Sequence, residues 1–186
     1  VQPQLASIGI AHVHHCASFS KTPVHDACLR AFAEVLMEEG IQSTTTLKAF
    51  GRHTASRSNE RPDITFCLGG SRIVADFTAV CPTSTRFVRN ASRGSLAAAA
   101  TAELDKIKMY AQMCEEKKCL FTPIAFETST AVGPRTLGFI KKIAATRLIR
   151  DADQKDFVKK MRLRIAVALA NTCTPRALCG RNVRAC

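Results

Sequence analysis

Arg61-Pro62-Asp63-Ile64-Thr65-Phe66-Cys67-Leu68-Gly69-Gly70-Ser71-Arg72-Ile73-Val74-Ala75-Asp76-Phe77-Thr78 decides the fold. Two strand-like runs, Ile64 to Leu68 and Arg72 to Val80, flank a Gly-Gly pair. That pattern predicts a tight β-hairpin, because glycine tolerates the positive φ that two-residue hairpin turns require. If Gly69 and Gly70 form the loop, Leu68 pairs with Ser71, and counting back sets Asp63 opposite Asp76. Directly opposed residues point to one face with Cβ atoms about 5 Å apart. Two carboxylates at that distance repel, so they share a proton or bind a cation. A divalent-metal site is the reading preferred here. The plainer alternative makes Pro62-Asp63 a turn and Asp76 a solvent-facing strand residue. A register slip of one residue would put the two side chains on opposite faces.

Working outward, Thr22-Pro23 reads as a helix start, with Leu29, Phe32, Val35 and Leu36 at helical spacing and Gly40 as the stop. Ile41 to Phe50 is a Thr-rich strand candidate. Gly51 to Glu60 is a polar loop carrying Arg52, His53 and Arg57. Cys81-Pro82 ends the hairpin, and residues 82 to 95 form a polar connection with Arg86, Arg89 and Arg93. Leu96 to Lys118 reads as a long Ala-rich helix, Cys119 to Glu127 as a buried strand containing Pro123, Pro134 to about Arg150 as a helix, and Gln154 to Asn171 as a last basic helix. From Cys173 the tail is expected to be irregular. The order is αβββαβ followed by two helices. The helix between the third and fourth strands is a crossover, so the fourth strand can pair parallel to an earlier one. The expected class is α/β, a mixed sheet flanked by helices. The expected division is an irregular segment over 1–21, a core over 22–150, and a basic helix and tail over 151–186.

The 186-residue chain has 46% hydrophobic and 23% charged residues, which fits a globular domain with a substantial core. A chain beginning at Val1 is expected to be a fragment or a processed form. No N-terminal segment reads as a secretory signal, and no apolar run approaches the roughly 20 residues needed to span a bilayer. The net charge is +12. From Phe139 onward twelve Lys and Arg face three acids. Lys141, Lys142, Lys159, Lys160 and Arg162 belong to this stretch. Such a surface favours a polyanion, nucleic acid first and an anionic membrane second, while a solvated helix face is the simpler account. The nine cysteines are odd in number and lack any Cys-x-x-Cys, which argues against a disulfide framework and a zinc ribbon. Cys28 and Cys67 sit in apolar contexts and are expected in the core. Residence in cytosol or nucleus, not secretion, fits best.

The long helix adds a third part to the site. Glu103, Lys106 and Tyr110 fall on one helical face, while Lys108 points elsewhere. A lysine near a metal-bound water can orient it or stabilise charge developing on a phosphate. Two carboxylates holding Mg²⁺ or Mn²⁺ would activate that water and clamp the phosphate. In this chemistry a lysine often follows the second acid by two residues. Thr78 occupies that place and cannot carry the charge, so Lys106 is the candidate to supply it. An ordinary exposed ion pair is the competing account of Glu103 and Lys106.

Pro62-Asp63 followed by Asp76-Phe77-Thr78 resembles the PD-(D/E)xK nuclease core with a displaced lysine. His25-Asp26, Arg61-Pro62-Asp63-Ile64, Asp76 to Ser84, the Ala-rich helix through Lys106 and Tyr110, and Phe121 to Ser129 extend the likeness. Together they resemble the restriction-enzyme-like endonuclease domain at the C-terminal end of reverse transcriptases of site-specific non-LTR (LINE-type) retrotransposons, over about residues 12 to 145. The resemblance implies a restriction-endonuclease-like core and a Mg²⁺-dependent endonuclease in the nucleus, acting on double-stranded DNA beside the rest of a polyprotein and its RNA. It implies that Asp63 and Asp76 are metal ligands, Lys106 the displaced lysine and Tyr110 the family's tyrosine. Glu127 matches an acid after the fourth strand, and Glu34 a further ligand of some members of the superfamily. Such domains follow a Cys-Cys-His-Cys zinc knuckle. His12 and Cys16 would be its last two ligands, with His14 and His15 nearby, but no cysteine precedes them, so a complete zinc site is not expected. A catalytically inactive module of the same fold that binds DNA or RNA is the rival reading.

Overall fold

The computed structural model describes residues 22–45 and 62–178. Its elements are α1 (Thr22–Glu38), β1 (Ser43–Thr45), β2 (Ile64–Leu68), β3 (Ser71–Val80), α2 (Val88–Ala91), α3 (Ala97–Glu116), β4 (Leu120–Glu127), α4 (Pro134–Arg147) and α5 (Asp151–Leu178). One four-stranded sheet runs β1-β2-β3-β4, antiparallel except for the parallel β3–β4 pair. The class is α/β, with helices packed on a mixed sheet.

The hairpin forms in the expected register. Leu68 pairs with Ser71, and Gly69 and Gly70 take φ of +55° and +79°. The ladder ends at Ile64↔Ala75, which corrects the direct pairing expected of Asp63 with Asp76. The Asp63 N–H donates to the Ala75 carbonyl instead. Pro62 has no N–H with which to continue the ladder, and the chain bends at Asp63. Other boundaries also move. The Thr-rich strand is short, Ser43–Thr45, and residues 46–61 lie outside the described part. The 82–95 connection contains α2. Helix α5 starts at Asp151 and runs to Leu178, through the stretch expected to be irregular.

Strand alternation divides the core. Ile73, Ala75 and Phe77 face one layer, where they join Phe32, Val35 and Leu36 of α1, Phe139, Ile140 and Ile143 of α4, and Phe157, Met161 and Ile165 of α5. Phe32 is fully buried and meets Phe77 edge-on at 5.2 Å. Burying one such ring contributes about 1.5–3 kcal/mol. The basic α5 therefore supplies core side chains as well as surface charge. Val74 and Val80 face the other layer, against Tyr110 and Cys114, and against Ala98, Ala99 and Ala102, of α3. Cys28 is buried as expected, but Cys67 is exposed, on the strand face opposite Phe66 and Leu68. Pro123 is tolerated because β4 is an edge strand, and α4 covers that edge. The Thr136 hydroxyl accepts from Ala125 N–H at 2.8 Å. Among the described residues no helix is long and apolar enough to cross a membrane.

Candidate functional site

Asp76 lies mid-strand on the α3 face of β3, between the two apolar clusters, and is 4% exposed. Two side chains of α3 reach it. The Tyr110 hydroxyl donates to Oδ1 at 2.7 Å, and the Lys106 ammonium stands 2.6 Å from Oδ2. Lys106 and Tyr110 are four residues apart, so one helix face delivers both. The lysine contact is an ion pair only, since Oδ2 accepts no hydrogen bond of standard geometry. Burial first, and then the negative charge of Asp63, push the Asp76 carboxyl above its ordinary value; Lys106 and Tyr110 pull it back.

Asp63 is 8% exposed and is held by α1. His25 Nε2 sits 2.8 Å from Asp63 Oδ2, and the Phe77 N–H donates to the same oxygen at 2.6 Å. The carboxylate thus takes the place of a ladder carbonyl at the end of the hairpin. Both contacts fall on Oδ2, leaving Oδ1 uncommitted among the described residues. His25 Nδ1 lies 3.1 Å from Asp26 Oδ1. The hydrogen bond to Asp63, together with that to Asp26, raises the imidazole to about 9 against a burial cost. His25 is therefore a cation at neutral pH. Motif reasoning marked His25-Asp26 as part of the resemblance but gave it no role at the site. The signal available was an ionisable pair opening the helix that packs on the hairpin.

The other acids are placed elsewhere. Helix α4 has no side-chain cap of its own and no acid in its first turn. Glu103, fully buried, supplies the missing acceptors, taking the N–H of Arg135 at 3.1 Å and of Thr136 at 2.8 Å and the Thr136 hydroxyl at 2.8 Å. Of the predicted face Glu103, Lys106 and Tyr110, only the last two meet Asp76. Helix α3 also lacks a side-chain cap, and Glu127 at the end of β4 accepts from its Ala99 N–H at 3.4 Å. Both glutamates act as borrowed caps facing positive helix ends. Glu34 is exposed and lines a shallow groove with Met37 and Thr45, apart from the aspartates.

Thr78 is half-buried, on the same strand face as Asp76. It borders a cleft of about 420 Å³ between β3, the 82–96 connection and α3, which Lys106 and Arg86 also line. Arg89 and Arg93 are exposed. So are Lys141, Lys142, Lys159 and Arg162 on α4 and α5. Lys160 differs, because its ammonium is committed to Glu39 at 2.6 Å and Glu38 at 3.2 Å, tying α5 to the end of α1. His12, His14, His15, Cys16, Arg52, His53, Arg57 and Arg61 lie outside the described residues.

Among the described residues no three His, Cys, Asp or Glu side chains form a metal-ligand group. Asp63 and Asp76 offer two carboxylates, a number that suits Mg²⁺, which keeps several waters and takes oxygens from a phosphate. The buried Asp76 Oδ2 meets only the Lys106 ammonium among the described residues, so a cation bound there would share or displace that contact. No protein-family model and no curated protein matches the chain.

Proposed function

We propose that the chain is a metal-dependent endonuclease domain with a restriction-endonuclease-like core. It would nick double-stranded DNA in the nucleus so that the freed 3′-hydroxyl primes reverse transcription by the polyprotein to which it belongs. The observation that carries this reading is Asp76: a buried carboxylate under the charge of a second carboxylate, met by a lysine and a tyrosine from one helix face. A structural role would call for one well-paired acid here, since a second buried negative charge nearby is costly.

Asp63 and Asp76 would hold Mg²⁺ or Mn²⁺, which when bound supplies Lewis-acid activation of water and neutralises phosphate charge. Tyr110 fixes one oxygen of Asp76 and so aims the other. His25 and the Phe77 N–H fix Oδ2 of Asp63 and leave Oδ1 to take a ligand. Lys106 opposes the upward shift that burial and Asp63 impose on Asp76 and presents a positive charge where phosphate charge develops. Thr78 carries no charge and adds at most a hydroxyl to the rim. Exposed Arg89, Arg93, Lys141, Lys142, Lys159 and Arg162 would hold backbone phosphates without reading sequence.

One observation favours the inactive binding module instead. The charges of Asp63 and Asp76 already face His25 and Lys106, so the pair can persist without a cation. Supercoiled-plasmid nicking at low salt, in Mg²⁺, Mn²⁺ or EDTA, separates the two. The nuclease reading expects metal-dependent nicking that Asp76→Ala abolishes and Lys106→Ala lowers by about 10²-fold or more. DNA binding with no nicking in either metal would support the binding module.

A further inference from the structure

We propose that the cleft beside Lys106 seats one nucleotide of the DNA strand, with its base stacked on Arg86 and its phosphate against Lys106. Its size, about 420 Å³, falls within the range of small-ligand sites. Its lining combines apolar Val80, Phe87 and Met109 with polar Thr78, Arg86, Asp105 and Lys106. Phe87 is buried at 7% exposure, and the Arg86 guanidinium lies over its ring at 5.1 Å from the centroid. The outer face of that guanidinium is a planar cation already backed by an aromatic ring, a surface on which bases stack. Arg86 pairs with Asp105 at 2.8 Å, but both side chains are largely exposed, at 68% and 43%. Such a pair is weak enough to exchange for a ligand.

Helix spacing connects the cleft to the aspartates. Ala102, Asp105, Lys106 and Met109 follow the i, i+3, i+4, i+7 pattern and face the cleft, whereas Lys106 and Tyr110 face Asp76. Lys106 belongs to both faces. A phosphate that reaches its ammonium from the cleft stands next to Asp76. The reaction coupled to this seat rests on the endonuclease reading; nucleotide binding itself does not.

The test uses the full chain in EDTA, with its four methionines (Met37, Met109, Met113 and Met161) labelled at the ε-methyl for NMR. Deoxynucleoside 5′-monophosphates, the matching nucleosides, inorganic phosphate and a short oligothymidylate are titrated in turn. The expected result is a saturable shift of the Met109 methyl with monophosphate and, more tightly, with oligothymidylate. Met37, exposed on α1, should stay still. Arg86→Ala should weaken binding by about tenfold, the loss of one stacked base, with Arg86→Lys restoring little because lysine has no planar face. An unmoved Met109, a shift equally produced by inorganic phosphate, or full rescue by Arg86→Lys overturns the proposal. Plasmid nicking by the same protein preparations after exchange into Mg²⁺ keeps the two readings apart. Nicking with an unmoved Met109 sinks the seat alone, and a Met109 shift without nicking sinks only the nuclease.

Discussion

At the scale of single residues, the site is two carboxylates restrained from different layers, Asp63 by α1 and Asp76 by α3. Tyr110→Phe removes one buried hydrogen bond to Asp76. It should cost about 1–3 kcal/mol in urea denaturation and raise the Asp76 carboxyl further. His25 gives a pH dependence with a definite sign. Its folded value, about 9, lies above the ordinary 6.5, so the stability it adds is fully present below about 6.5 and fades as the pH rises through 9. Denaturation midpoints of the wild type and His25→Ala should differ most near pH 6 and converge near pH 10. A gap independent of pH would mean that the ring matters only for packing against Phe77. Lys106 and Tyr110 were legible as one helix face and Asp63 and Asp76 as neighbours across a hairpin, because strand and helix periods are regular; that the ladder stops short of Asp63 and that Glu103 leaves the group were not. His25 was not, because nothing in a helix start says which strand end it will cover.

At the scale of elements, two helices begin with no caps of their own and borrow glutamates from their neighbours. Glu103→Ala should therefore cost about 1–3 kcal/mol or more in stability, since it strips the acceptor from two N–H groups and a hydroxyl. Metal-dependent nicking by folded Glu103→Ala protein should be close to wild type, whereas a catalytic glutamate would lose activity at unchanged stability. Gly133 reports on the same contact. A Cβ there would collide with the Glu103 carboxylate, so Gly133→Ala should lower the thermal midpoint although its φ of −57° suits any residue. The hairpin, the crossover and the helix order were readable from Gly-Gly, Ala-rich and apolar patterns. The borrowed caps were not, because each joins residues about 30 apart in sequence whose meeting depends on tertiary packing. The helix face carrying Glu103 was found, but a period does not say what that face meets.

For the whole molecule, the excess of positive charge toward the C-terminus does two jobs. Part of it is spent within the fold on half-exposed pairs at the end of α1, with Lys160 bonded to Glu38 and to Glu39 just beyond it, and Arg164 to Glu38. Part remains on the surface. Lys160→Ala should lower stability more than DNA affinity. Lys159→Ala with Arg162→Ala should leave stability nearly unchanged, weaken DNA binding across sequences, and flatten the salt dependence by about one unit of slope per lost phosphate contact. Fluorescence anisotropy over a salt series measures this. Equal effects of the two changes would place both sets of charges in the same role. Composition revealed the basic surface, but only the packing of α5 on α1 separates its structural cations from its free ones.

The crossover helix between β3 and β4 also governs when the site can exist. The hairpin needs only neighbouring residues, but Asp76 meets Lys106 and Tyr110 only once α3 has folded back onto β3. A ribosome would have to release the chain through that helix before these groups converge. Until then the unfinished polypeptide carries its two aspartates without their lysine and tyrosine.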